Sequence, residues 1–223
     1  MTKRVLIIGG NTGIGAALNE QLTNQGVETI LISRSQGDVD VTAAEPNFPE
    51  IDGAIDALVY CPGSINLKPF RGLKMTDFEH DMNVNYFGAV KTIKHYMPKL
   101  QESEDGSIVL FSTVAVQKGM PFHSSIAGAK GAVEGLTRAL AAEYAPKVRV
   151  NCIAPSLTDT PLAEKLLRNQ KQREGAENRH PLKAIGEAED IANMANFLIS
   201  DKARWMSGQI IGVDGGMSSL ATG

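Results

Sequence analysis

Short apolar runs alternate with longer stretches of helical periodicity along almost the whole chain. Residues 5–8, 29–32, 55–60, 107–111, 148–153 and 209–213 are compact and rich in β-branched side chains, and each reads as a buried strand. Between them, apolar residues recur every three or four positions. One helix follows Gly10 and is stopped by Gly26. Residues 76–100 read as two helices, residues 124–144 as one long helix ending before Pro146, and residues 187–199 as another. A polar helix is expected from Leu162 to about Gln172. Strands buried on both faces and separated by helices predict a single α/β domain over residues 1–223, with a parallel sheet covered on both sides.

One interval is too short for this pattern. The second strand ends near Ser33, and the next strand-like piece, Val39-Asp40-Val41, follows within a few residues. A parallel crossover needs roughly a dozen residues. The edge strand and its preceding helix are therefore expected to be missing, with residues 37–41 irregular and a sheet of six strands, seven at most. Thr42 and Glu45 have the spacing of a capping box, and Pro46 and Pro49 keep any helix there short.

Composition adds mainly exclusions. The 223 residues are 43% hydrophobic and 21% charged, with a net charge of -3. This gives no reason to expect attraction to nucleic acid or membrane surfaces. No apolar run reaches the roughly 18 residues of a membrane span. The amino-terminal residues enter the first strand at once, so no signal peptide is expected. Cys61 and Cys152 lie in apolar runs and read as buried thiols of a reducing, cytoplasmic compartment. His80, His95, His123 and His180 are scattered, without metal-ligand spacing.

Gly9-Gly10-Asn11-Thr12-Gly13-Ile14-Gly15 links the first strand to the first helix. Glycines permit the tight turn and a close approach of backbone to a pyrophosphate, and the helix N-terminus supplies N–H groups. Further along lie Val84-Asn85-Tyr86-Phe87-Gly88, a lysine at 130, Arg149-Val150-Asn151-Cys152-Ile153-Ala154-Pro155-Ser156 and Val213-Asp214-Gly215-Gly216. Together these resemble the short-chain dehydrogenase/reductase family over nearly the whole chain. The resemblance implies a doubly wound Rossmann fold, a nicotinamide cofactor and a small-molecule substrate. It departs from the family at Cys61-Pro62, where only Gly63 of an Asn-Asn-Ala-Gly motif is kept, and at Ser156, which replaces a glycine.

The resemblance implies cofactor contacts from Gly9, Asn11, Thr12, Gly13 and Ile14 in the turn, and from Cys61, Pro62 and Gly63 after the third strand. It also implies contacts from Asp40 and Val41 at the adenine, and from Lys130, Pro155, Leu157 and Thr160 toward the nicotinamide. Ser33, Arg34 and Ser35 stand where an NAD binder carries an acid. A guanidinium between two hydroxyls suits a 2′-phosphate, so NADP(H) is expected over NAD(H).

At the reaction centre, the resemblance assigns Asn85 to the active-site asparagine, Thr113 to the catalytic serine, with Ser112 beside it as a reserve, and Lys130 to the lysine. Ile126 falls on the catalytic tyrosine, and a hydrocarbon transfers no proton. Three readings stay open. His123 lies two helical turns before Lys130, where a related enoyl reductase branch has its tyrosine, and histidine suits acid–base work near neutrality. A conjugated substrate held by Thr113, with a proton from Tyr60, Tyr86 or water, is another. A binder of NADP(H) with a sensing or scaffolding role and no catalysis is the third. Residues 157–185 are expected to form the substrate loop, where Lys171, Arg173, Arg179 and Lys183 either meet an anionic group or are simply solvated. The family's assembly habit implies a homodimer or homotetramer.

Overall fold

The computed structural model describes residues 3–34 and 39–221. Six parallel strands form the main sheet: β1 (Arg4–Ile8), β2 (Glu28–Ile32), β3 (Ala57–Tyr60), β4 (Gly106–Phe111), β5 (Val148–Pro155) and a last strand, Ile210–Val213. A two-stranded ladder, β6 (Thr158–Asp159) with β7 (Gly186–Glu187), lies apart from it, which makes the last strand β8. The order across the main sheet is β2-β1-β3-β4-β5-β8. Alternate residues of β1 serve opposite faces. Leu6 and Ile8 join a core with β3 and helix residues Ile93, Tyr96 and Leu100, whereas Val5 and Ile7 pack with Leu18, Leu22, Ile191 and Leu198. Both faces are therefore covered, as the continuous apolar strands require.

The helices are α1 (Gly13–Asn24), α2 (Met75–Met82), α3 (Gly88–Gln101), a short α4 (Val114–Lys118), α5 (Ser124–Tyr144), α6 (Gln170–Arg179) and α7 (Ala188–Ile199). The segment expected as two helices over 76–100 is α2 and α3 joined by a π-helical turn, Asn83–Phe87. Such wide turns interrupt the regular hydrogen-bond ladder and often mark functional positions.

The abnormal interval behaves as its length dictates. Among the described residues, none between β2 and β3 forms a strand or regular helix. Residues 37 and 38 of the expected irregular segment lie outside the described residues. The capping box at Thr42 does not form: Asp40 accepts from the Thr42 backbone N–H at 2.9 Å and from its hydroxyl at 2.7 Å, closing a local turn instead. The chain that follows covers the sheet without a helix. Val39, Val41, Phe48, Ile51 and Ile55 are buried, and Tyr96 of α3 holds the carbonyl of Pro49 at 2.8 Å.

The helix expected over 162–172 is displaced. Pro161–Leu166 is a 3₁₀ helix, and α6 starts only after Asn169, whose side chain accepts from the Gln172 N–H at 3.0 Å. The cap residue outweighs the weak periodicity. The loop expected over 157–185 is shut at its base by β6 and β7, and filled by Ala163, Leu167, Ala176 and Ile185.

Candidate active site

Two cavities meet at the carboxyl edge of the sheet, where the strand order reverses around β1 and β3. The first, about 520 Å³, is lined by Gly9, Asn11, Thr12, Gly13 and Ile14, by Ser33 and Arg34, by Asp40 and Val41, and by Cys61, Pro62, Gly63 and Thr160. Every expected contact of the dinucleotide's adenosine and pyrophosphate parts is thus on one wall or another, except Ser35, which lies outside the described residues. Gly13 has φ +53, and a side-chain carbon on Gly15 would stand 2.5 Å from the Gly9 carbonyl oxygen. Thr12 precedes α1 without a side-chain cap bond, so the first-turn N–H groups are open to an anion. This donor set fits a dinucleotide pyrophosphate. Ser33 is buried and accepts a 2.5 Å hydrogen bond from Asn11, tying β2 to the glycine turn. Arg34 is exposed at the rim.

The second cavity, about 410 Å³, shares Ile14, Cys61, Gly63, Thr160 and Leu162 with the first. Thr113, His123, Ile126, Lys130, Pro155, Leu157 and Thr160 all line it. The Thr113 hydroxyl accepts from the Ala115 N–H at 3.3 Å at the start of α4, which leaves its own proton for a ligand. Ser112 beside it also lines the cavity, is buried and donates to Glu134 at 2.7 Å.

Lys130 is buried and donates to the Phe111 carbonyl at 2.8 Å. Burial lowers its pKa from 10.5 to about 8; the Cys152, Cys61 and Asp81 groups nearby pull the other way. Asn85, in the π-helical turn, donates to the Ser64 hydroxyl and to the Asp81 carbonyl, both at 2.8 Å. Its Oδ1 is buried and has no partner among the described residues. A side-chain carbon on Gly63 would lie 3.5 Å from that oxygen and 3.8 Å from the Lys130 nitrogen, so both atoms flank the same small opening. The amide is oriented from behind. The fully buried Asp81 carboxylate accepts from Ser64 at 2.6 Å and from Ser125, the neighbour of Ile126, at 2.5 Å. The sequence offered no sign of this Asp81–Ser64–Ser125 cluster.

Three expected donors are placed differently from one another. His123 stands at the cavity wall just before α5, with Nδ1 bonded to the Pro121 carbonyl at 2.7 Å. Tyr60 donates to the Val84 carbonyl at 2.6 Å, and burial pushes its phenol pKa up. Neither Tyr60 nor Tyr86, which packs on Phe87, lines the cavity, so neither reaches a substrate there. Cys61 faces both cavities, but burial pushes its thiol up to about 12. Of the basic loop residues, Lys171 and Arg179 line the cavity. Arg173 pairs instead with Asp159, and Lys183 with the Asn178 carbonyl. No group of three or more potential metal ligands is gathered among the described residues, and no helix there is long and apolar enough to cross a membrane.

A six-stranded parallel sheet whose carboxyl edge joins a glycine-rich crevice to a cavity lined by Thr113 and Lys130, with Asn85 close behind Gly63, is the architecture of a dinucleotide-binding Rossmann fold. The family model described as enoyl-(acyl carrier protein) reductase matches residues 38–218. The 3-oxoacyl-(acyl-carrier-protein) reductase FabG of Thermotoga maritima is 32% identical, over 96% of this chain and 97% of its own length. A solved short-chain dehydrogenase of the glucose/ribitol dehydrogenase type from Brucella melitensis superposes with a TM-score of 0.88 at 28% identity, covering 98% of this chain and 97% of that one. A small-chain dehydrogenase solved in complex with NADPH gives 0.86 at 28% identity, with 98% and 99% covered. The chain belongs to the short-chain dehydrogenase/reductase family.

Proposed function

We propose that the protein is an NADP(H)-dependent oxidoreductase that reduces an activated carbonyl or enoyl substrate with a proton donor other than the family's phenol. The observation that carries this reading is the junction at Gly63. There the buried Lys130 nitrogen and the unpartnered Asn85 Oδ1 both lie close to Gly63, which lines both cavities, and the reading puts a nicotinamide ribose beside them. A protein that only bound a dinucleotide would have little use for the Thr113 hydroxyl beyond that opening. A bound nicotinamide supplies the hydride. Lys130 holds ribose hydroxyls, Thr113 donates to the substrate oxygen as negative charge grows on it, and the apolar walls exclude water. His123, two helical turns before Lys130 and on the cavity wall, is one candidate for the donor.

Arg34 at the crevice rim, with Ser33 rather than an acid at the end of β2, supports NADP(H) over NAD(H). Lys171 and Arg179 among the cavity's lining residues favour a substrate with an apolar body and an anionic end. A homodimer or homotetramer follows the family habit and is checked by solution mass. Ile126 favours one other reading, a non-catalytic NADP(H) binder. Titration of NADPH and NADH by fluorescence, followed by NADPH oxidation with ketones, quinones and enoyl thioesters, separates the two. Tight binding without turnover on every class would leave the binder.

A further inference from the structure

Ser156 and His180 form a second polar pair in the reaction cavity, and neither is accounted for by the cofactor contacts. Ser156 follows β5 directly, between Pro155 and Leu157, and lines the cavity with Thr113, Ile126 and Lys130. His180, at the end of α6, lines the same cavity but is only 2% exposed. Its Nδ1 lies 2.8 Å from the Ala176 carbonyl and its Nε2 lies 2.8 Å from the Ser156 hydroxyl. A carbonyl only accepts, so Nδ1 carries a proton. In the neutral ring Nε2 then accepts from Ser156. In the imidazolium both nitrogens donate, and the Ser156 hydroxyl is turned toward the cavity with a proton to give.

We infer that Ser156, backed by His180, is the proton donor that stands in for the phenol missing at Ile126. This rests on the proposed reductase reading. The substrate carbon receives hydride from the reduced nicotinamide cofactor. The Ser156 O–H bond breaks, and its proton forms the new O–H bond on the substrate oxygen. The Nε2 proton of His180 passes to Ser156 Oγ, which leaves a neutral ring. After product departs, a solvent proton returns through the cavity and Ser156 to Nε2. Ser156 is thus the catalytic residue, and His180 is a positioning residue acting through it. Two features make this pair better suited than His123. Its ring is held at both nitrogens in a buried wall, and its hydroxyl belongs to a cavity-lining residue between Pro155 and Leu157, the two positions expected to contact the nicotinamide end. His123 is bonded only to its own loop, at Pro121.

The test compares wild type with Ser156→Gly, Ser156→Thr, His180→Asn and His123→Ala, measuring kcat, NADPH affinity and the solvent deuterium isotope effect. The expected result is a fall in kcat of about 10²-fold or more for Ser156→Gly, with NADPH still bound and activity retained by Ser156→Thr. His180→Asn should lower kcat and change the isotope effect. Ring-nitrogen NMR of the cofactor-free protein should show a proton on His180 Nδ1, with the Nε2 resonance moved by Ser156→Gly. A neutral ring protonated on Nε2, or a Ser156→Gly enzyme with wild-type kcat, overturns the pair. A large loss that falls on His123→Ala alone also overturns it and leaves the reductase reading standing. Absence of turnover in wild type, with NADPH bound, overturns both.

Discussion

The two cavities are built by different means. The cofactor crevice is made largely of backbone: a glycine turn, an open helix N-terminus and strand ends, with Ser33 and Asn11 tying two of these together. The reaction cavity is made of side chains from separate elements, including Thr113 before α4, Ile126 and Lys130 on α5, Ser156 after β5 and His180 after α6. Backbone geometry tolerates almost no change, because an added atom at Gly15 meets another backbone atom. A side-chain constellation can be rebuilt one residue at a time. That difference fits the proposed reading, in which the cofactor half of the site is kept and its proton donor is replaced.

The strongest test of this division is Ile126→Tyr. If the rest of the reaction cavity is competent, the phenol should raise ketone reduction by up to about 10²–10⁴-fold, seen in steady-state NADPH oxidation, without a change in NADPH affinity. A variant that binds NADPH but gains nothing would show that the cavity has diverged beyond its donor. Lys130→Met, at the junction, should harm both halves. Loss of a charged hydrogen bond worth about 1.5–3 kcal/mol lowers NADPH affinity about 10- to 100-fold, as read by fluorescence titration.

The same lysine gives a pH signature. Burial brings its pKa down from 10.5 to about 8, so the ammonium is present below that pH and lost above it. NADPH affinity in the wild type should therefore fall as pH rises through about 8, and Lys130→Met should lose that dependence. Arg34→Ala touches the crevice alone. It should weaken NADPH by about tenfold, the worth of one exposed charge-assisted contact, and leave NADH affinity as it was. An equal loss for both cofactors would remove Arg34 from phosphate recognition. The smallest effect concerns the thiols. Burial raises Cys61 and Cys152 to about 12, so neither should be alkylated at pH 8 in the native protein, as mass spectrometry would show.

Legibility in the sequence followed the same boundary. The strands over residues 5–8 and 148–153, the long helix α5 from Ser124 to Tyr144 and the glycine turn were readable because each depends on neighbours in the chain. That no described residue between β2 and β3 forms a strand was readable from the short distance between Ser33 and Val39. The helix expected at Leu162 was misplaced because the polar loop has no apolar stripe to set its bounds, and the cap at Asn169 decided where α6 begins. The β6–β7 ladder was invisible, since two-residue strands carry no periodicity.

By itself the sequence determined the α/β order, the parallel sheet, the dinucleotide turn and the absence of a phenol at position 126. These follow from local backbone preferences and from the period of apolar residues. Only the tertiary structure decided which polar groups share the reaction cavity. His180 meets Ser156 from the loop over residues 157–185, and Asp81 meets Ser125 from a different helix. Such partners are set by how helices and loops pack on the sheet, where burial drives most polar atoms to find a donor or acceptor, and no spacing along the chain encodes that choice.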